Sequence, residues 1–314
     1  MRYITLTAIA PPWWEAPAGM TNEQLIERMM ALWRAEIDAV LPEKPDLILL
    51  PEVCDRYANL SAEQNRAYYD ARGDRMRDFF ADIARENRCY IAYSAVRQAE
   101  DGYFRNSTQL IGRTGRVEGI YNKNHLVVSE GPLDGPHPML CGRDAVVSDL
   151  DFGRVGCAIC FDLNFYELRE KYMAKKPELL LFSSNYHGDF HQLEWAYDCR
   201  SYFACAVRNQ EARVISPVGE VLAKSTCYYH YVTARVNLDY AVCYLDFNWE
   251  RFQAAREKYG AKIRIHDPGK TGAVLLTSET DEFSAMDVVR EFGIELMDDY
   301  FERSRRDQRE RVEP

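Results

Sequence analysis

The chain has no long apolar run. Its uncharged hydrophobic stretches, such as residues 179–182, fall far short of the roughly 20 residues that cross a bilayer. It has no Pro/Gly/Ser-rich linker either, so 314 residues with 47% hydrophobic content read as one large domain with a tail. Positive charge is not in excess. Lys and Arg number 39 against 49 Asp and Glu, a formal net charge of −10, which works against nucleic acid and anionic membranes as partners. Residues 2–10 have the length of a weak signal h-region but read better as a strand. Ile4, Leu6 and Ala8 alternate with Tyr3, Thr5 and Thr7 as in a half-buried strand, and Pro11-Pro12-Trp13-Trp14 is no small-residue cleavage site. Cytoplasmic location is the expectation.

Cysteine is present, nine in all, but metal-ligand spacing is lacking. Cys157 and Cys160 form a C-x-x-C inside a strand-like run, where residues three apart face opposite sides of a sheet. Cys54, Cys89, Cys199, Cys205, Cys227 and Cys243 read as reduced thiols of a reducing compartment. No metal or cofactor is expected. His187 and His191 lie four apart, but Gly188 interrupts any helix that would pair them.

Strand-like runs at 3–8, 47–50 and 90–95 alternate with helical patterns. Thr21-Asn22-Glu23-Gln24 is a capping box opening a helix with Leu25, Met29, Leu32, Trp33, Ile37 and Val40 on one face. Ser61 opens another, carrying Met76, Phe79, Phe80 and Ile83. Residues 105–111 and 116–121 bracket a turn at Gly112-Arg113-Thr114-Gly115. Strands follow at 145–148, 154–159 and 179–183, then a helix over 191–204 and a meander at 205–209, 212–216, 221–223 and 231–237. Two such halves predict an α/β fold of two sheets packed face to face with helices outside. The expected organisation is a main domain over 1–271. A charged helical extension over 272–314 should then pack on the core or a subunit partner through Phe283, Met286, Val289, Phe292, Leu296 and Tyr300.

Three polar residues each close a strand-like run. Glu52 follows Leu47-Ile48-Leu49-Leu50-Pro51, Lys123 follows Ile120-Tyr121-Asn122, and Cys160 follows Gly156-Cys157-Ala158-Ile159. Strand ends at βα turns are where open α/β sheets do chemistry. A thiol is mostly protonated at neutral pH, so a nucleophilic cysteine needs help. Lys123 can supply positive charge and Glu52 can take the proton. Taken singly, each has an ordinary structural role open to it: core cysteine, ion-paired acid, solvated lysine.

Together the three segments resemble the signature of the nitrilase superfamily of carbon–nitrogen hydrolases. Leu50-Pro51-Glu52 matches its glutamate motif, Tyr121-Asn122-Lys123-Asn124-His125-Leu126 its lysine motif, and Gly156 to Asp162 its nucleophile motif. The resemblance covers roughly residues 1–240. It implies a four-layer α-β-β-α sandwich, and a homodimer or higher homo-oligomer. It further implies that Cys160 attacks an amide carbonyl to form a thioester and that Glu52 carries the proton. Lys123 and the Phe161 backbone N–H would hold the oxyanion; Glu130, matching the family's second glutamate, would orient the lysine or the substrate, a solvated loop acid being the ordinary alternative. His125 would pack as a support for the lysine loop.

The residues after Cys160 separate the branches of that family. Nitrile-hydrolysing members follow the cysteine with aromatic-Glu-Asn, whereas this chain has Phe161-Asp162-Leu163-Asn164. Members acting on N-carbamoyl compounds often carry arginine where Asn164 stands. Asp162, Asn164, Phe165 and Glu167 fit the aliphatic-amidase frame, with Tyr166 replacing the usual proline. Residues 207–214 replace the family's Gly-rich stretch, implying an unusual substrate wall. Asn185, Tyr186 and His187, with Asp189, are expected to bind substrate along with Asp162 and Asn164. The leading expectation is hydrolysis of a small linear amide. A ureido or N-carbamoyl substrate is the alternative, with Arg200 or Arg208 as the carboxylate grip. Nitrile hydrolysis and a non-catalytic binding protein rank below these.

Overall fold

The computed structural model of the chain describes residues 1–128, 130 and 138–312. They divide into two compact units, one spanning Ile4–Arg235 and the other joining Met1–Tyr3 to the chain from Val236 onward. The first half of the larger unit runs β1 (Tyr3–Ile9), α1 (Asn22–Val40), β2 (Leu47–Leu49), α2 (Ala62–Arg72), α3 (Arg75–Asn87), β3 (Tyr90–Gln98), β4 (Phe104–Ile111) and β5 (Val117–Asn122). Its second half runs β6 (Val147–Leu150), β7 (Gly153–Ile159), α4 (Tyr166–Lys175), β8 (Leu179–Ser184), α5 (Phe190–Cys199), β9 (Tyr202–Val207), β10 (Arg213–Ile215), β11 (Val221–Lys224) and β12 (Tyr231–Asn237).

The strands form two six-stranded sheets, ordered β12-β1-β2-β3-β4-β5 and β11-β10-β9-β8-β7-β6. Each centre is parallel, β1-β2-β3 in one and β7-β8-β9 in the other. Every residue of β2, β8 and β9 is buried, as parallel strands covered on both faces require. Because β4 runs antiparallel to both its neighbours, β5 points the same way as β3. The residues that follow β2, β5, β7 and β8 therefore emerge at strand carboxyl ends. The Ser183 hydroxyl donates to the Leu50 carbonyl across the sheets at 2.8 Å. Helices cover the outer faces, giving an α-β-β-α sandwich.

The helices form where caps and periodicity direct them. Thr21 and Gln24 make the reciprocal capping box, with Gln24 N donating to Thr21 Oγ1 at 3.3 Å and Thr21 N to Gln24 Oε1 at 3.0 Å. The apolar face of α1 puts Met29, Trp33 and Ile37 in a core with Ile48, Phe80 and Ile91. Burying each large side chain there stabilises by about 1.5–3 kcal/mol. Two helices differ from expectation. The pattern opened by Ser61 is cut in two at Gly73, whose φ of 49° no continuing helix adopts. The helix expected over 191–204 ends at Cys199, because Arg200 turns left-handed at φ 53° and the chain re-enters a sheet at Tyr202.

The smaller unit holds β13 (Tyr240–Tyr244), α6 (Trp249–Tyr259), β14 (Ile263–His266), β15 (Ala273–Ser278), α7 (Ala285–Phe292) and α8 (Met297–Arg309). This corrects the expected division at 271/272 and the purely helical extension beyond it. β15 is the wholly buried central strand of a β13-β15-β14 sheet, so the unit begins near residue 236. Phe283, Met286, Val289, Phe292 and Leu296 pack with Phe252, Val274 and Leu276 of the same unit. Tyr300 stacks on Tyr244 at 5.0 Å. Val289 is buried there, while Phe283, Met286, Phe292, Leu296 and Tyr300 are partly buried.

Gly156 in β7 has a steric reason. A Cβ there would lie 2.7 Å from Tyr172 Cε1 and 2.9 Å from Leu180 Cδ2, and Tyr172 hydrogen-bonds the Cys157 backbone. Gly156→Ala should cost about 1–3 kcal/mol through overpacking. The check is the urea midpoint at unchanged m-value, and an unmoved midpoint would refute the account.

Candidate active site

Glu52 lies just past β2. Pro51 ends the apolar run, and Val53 then takes φ 43°, a left-handed conformation costing a β-branched residue about 1–3 kcal/mol. The Glu52 residue is 3% exposed, and its carboxylate accepts from three side chains. Oε1 accepts from Lys123 Nζ and Asn106 Nδ2, both at 2.8 Å, and Oε2 from Asn185 Nδ2 at 2.8 Å.

Lys123 is the first residue beyond β5, and its backbone N–H donates to Asn106 O at 2.8 Å. Its Nζ also donates to Glu130 Oε2 at 2.6 Å. Burial alone would favour the neutral amine, but Glu52 and Glu130 outweigh it and hold the ammonium above the ordinary lysine range. Lys123 is thus a fixed cation and no base. Asn106 donates through the same nitrogen to Glu130 Oε1 at 2.7 Å, so one amide group and one ammonium bridge both carboxylates.

Cys160 is the first residue after β7 and opens a 3-10 turn over Cys160–Asn164. It is left-handed at φ 48°, a second strained backbone at the same cluster. Burial pushes its thiol up to about 11, helped by the Glu52 charge. Lys123, the Asn185 backbone N–H and the Ser184 hydroxyl act in the opposite direction. At neutral pH the thiol therefore rests protonated. Asn185, the residue after β8, joins the two halves. Its side chain holds Glu52 while its backbone N–H reaches the thiol. Glu52, Lys123, Glu130 and Cys160 are thereby brought together.

The remaining predicted residues divide. Asp162 is not a substrate-facing acid, contrary to expectation. It is fully buried, and both oxygens are committed. Oδ2 accepts from Tyr121 Oη at 2.6 Å and Ile159 N at 3.0 Å. Oδ1 accepts from Asn124 N at 3.1 Å and His125 N at 2.8 Å. It fastens the Cys160 turn to the Lys123 loop. His125 stacks on Phe165 at 3.7 Å, and half-buried Phe161 meets the edge of Phe165.

Asn164 and Tyr186 are exposed and touch, Tyr186 Oη donating to Asn164 Oδ1 at 3.4 Å. His187 accepts from Asp189 N at 3.1 Å; burial, then Arg213, lower its pKa and favour the neutral ring. Asp189 pairs outward with Arg213, and His191 pairs with Glu194 rather than His187. Arg208 is no carboxylate grip, because its side chain is buried among Trp13, Trp14 and Trp33. A cleft of about 530 Å³, lined by Asn209, Gln210, Glu211 and Lys224 among others, contains none of Glu52, Lys123 or Cys160. Gln210 links the two places, its Nε2 lying 3.5 Å from Asn185 O.

Asn106 is the residue that sequence reasoning missed. Its signal lay in β4, where Asn106-Ser107-Thr108-Gln109 is a polar run buried throughout. A strand that buries four polar residues in succession is building something other than a core.

The sandwich and the acid–amine–thiol cluster at its strand ends define a class, and comparison with known proteins agrees. A carbon-nitrogen hydrolase family model matches residues 12–242. The chain belongs to the carbon–nitrogen hydrolase family. Among curated proteins it is similar to omega-amidase NIT2-B of Xenopus laevis, 26% identical over 184 residues, which cover 52% of this chain and 67% of that one. Against omega-amidase NIT2 of Homo sapiens the identity is 26% over 166 residues, covering 46% and 60%. The matched regions thus span about two thirds or less of those relatives. In fold it is similar to Nit3 of Saccharomyces cerevisiae, a nitrilase-superfamily member, with a TM-score of 0.60 at 16% identity, covering 74% and 90% of the two chains. A carbon-nitrogen hydrolase from Helicobacter pylori gives 0.61 at 16% identity, covering 82% and 93%. No described helix is long and apolar enough to cross a membrane.

Asp162→Asn offers an N–H₂ group where two donors already point. Leaving them unpaired in a buried site should cost about 1–3 kcal/mol each. Asn164→Ala, at an exposed site, should stay within about 0.5 kcal/mol. Denaturant melts of the pair check this, and equal effects would overturn the assignment of Asp162 as a structural tie.

Proposed function

We propose that this protein hydrolyses the carbon–nitrogen bond of a small linear amide through a thioester on Cys160. The observation that carries the reading is the buried cluster in which Glu52 is held by Lys123, Asn106 and Asn185 while Asn185 also contacts the thiol. The sulfur of Cys160 attacks the carbonyl carbon as its proton passes to Glu52, so no free thiolate need accumulate. The oxyanion is received by Lys123 Nζ and the backbone N–H of Phe161. Glu52 then returns the proton to the departing nitrogen as the C–N bond breaks. Water attacks the thioester with Glu52 taking its proton, the C–S bond breaks, and the acid and the thiol are restored. Glu130 keeps Lys123 in place. No step calls for a metal or cofactor.

An amide is preferred as substrate because the curated relatives carry the name omega-amidase. Asn185 supports it too, since its buried Oδ1 has no partner among the described residues and is an acceptor suited to an amide N–H. The N-carbamoyl alternative loses its grip at Arg208, whose guanidinium is committed elsewhere. Cytoplasmic location and self-association belong to the same proposal.

A panel of linear amides, nitriles and ureido compounds, assayed for ammonia, tests the reading. The expected result is ammonia plus a carboxylic acid from an amide, with an acyl adduct on the Cys160 peptide by mass spectrometry. Cys160→Ser and Glu52→Gln should each lower turnover by at least about 10³-fold. Turnover that survives Cys160→Ser would end the proposal.

A further inference from the structure

Arg208 is the first residue after β9, and its backbone N–H continues the ladder by donating to Ser184 O at 3.0 Å. Its side chain is 1% exposed. The guanidinium carbon lies 4.5 Å from the Trp13 ring centre, 5.4 Å from Trp14 and 6.0 Å from Trp33. Nη2 donates to Cys54 O at 2.6 Å and Nη1 to Pro12 O at 3.2 Å. Nε has no partner. Among the described residues no carboxylate pairs directly with this guanidinium; indole faces, carbonyl dipoles and the more distant charges of Asp55 and Glu36 are what offset its burial. An apolar side chain would fill the space at lower cost. A cation is kept here for its fork of donors.

The fork reaches across the sandwich. Arg208 belongs to the sheet that carries Cys160, and Cys54 to the loop two residues beyond Glu52 in the other sheet. The Cys54 carbonyl also accepts from Trp33 Nε1 at 3.0 Å, and Cys54 N donates to Ser94 O at 2.9 Å. Between Glu52 and this clamped peptide stands Val53, left-handed at φ 43°. A β-branched residue there relaxes to an extended conformation unless its neighbours prevent it, and that relaxation would swing the Glu52 side chain away from Lys123 and Asn185.

We infer that Arg208 is a positioning residue: caged by three tryptophans, it pins the Cys54 carbonyl and so holds the strained Val53 turn that sets the Glu52 carboxylate in the cluster. The inference rests on the reading of Glu52 as the proton carrier. It assigns Arg208 no contact with substrate.

The test uses Arg208→Met, which keeps length and apolar contact but removes the fork, and Arg208→Lys, which keeps the charge and loses the second donor. Iodoacetamide is the probe, with alkylation of the Cys160 peptide followed by mass spectrometry across pH, because it requires no known substrate. Glu52 raises the thiol's inflection, so Glu52→Gln should move that inflection to lower pH, and Arg208→Met should move it the same way. With any amide turned over by the native enzyme, Arg208→Met should lower kcat at least about 10-fold with KM within about 2-fold, and Arg208→Lys about 3- to 10-fold. In a Val53→Gly background, where no strain needs holding, the Arg208→Met loss should shrink, a coupling that packing alone would not produce.

A folded Arg208→Met protein with native inflection and kcat would overturn the inference. If that variant does not fold, Arg208→Lys carries the same test, and native values there would be equally fatal. The catalytic reading fails separately: turnover retained in Cys160→Ser and Glu52→Gln sinks that reading whatever Arg208 does. Loss in those two with native Arg208 variants sinks only the positioning role.

Discussion

One buried ammonium organises the strand ends of this sandwich. Lys123 cannot reach bulk water, so it exists as a cation only because Glu52 and Glu130 both face it. Each of those acids is in turn shared with Asn106. Desolvating such a set costs several kcal/mol per ion, and well-packed apolar residues would serve stability as well or better. The arrangement also needs Glu52 and Lys123, remote in the chain, to arrive at the ends of β2 and β5, with β3 and β4 between them in one sheet, while Asn185 arrives from the other. Two backbone residues beside the cluster, Val53 and Cys160, are left-handed without being glycine. Strain on both sides of a buried charge cluster marks a site whose geometry is held by its surroundings, not one that packing alone would select.

What could be read from the sequence was whatever one segment carries by itself. An acid, an amine and a thiol, each ending its own apolar run, announce their strand-end positions. The Thr21–Gln24 capping box and the alternation of β1 are equally local. Asn106 escaped notice because its meaning lies in two carboxylates elsewhere in the chain. Asp162 was misread because an acid two residues past a nucleophile suggests a pocket, whereas its partner Tyr121 comes from β5. The helix break at Arg200 had no signal, since an arginine in a left-handed turn is written with the same letter as one in a helix. β15 was missed because Ala273-Val274-Leu275-Leu276, followed by charged helical sequence, looks like the start of a tail. Its two flanking strands, β13 and β14, are brought beside it only by the fold.

The pairing of two carboxylates on one lysine gains a rationale from charge conservation along the proposed reaction. At rest the group of Glu52, Glu130, Lys123 and a neutral thiol carries one excess negative charge. When the thiol proton passes to Glu52 and the sulfur attacks, Glu52 becomes neutral and the negative charge reappears on the carbonyl oxygen. The total inside the buried site is unchanged, and only its location moves. Lys123 exchanges a Glu52 oxygen for an oxyanion, which is the differential interaction that accelerates a step. With Glu52 as its only carboxylate, the lysine would depend wholly on a charge that moves from Glu52 to the oxyanion, and burial works against the cation whenever that charge is not beside it. On the proposed reaction Glu130 keeps its contact with Lys123 through that exchange. On that proposal the second acid is what lets the first one act as a reagent.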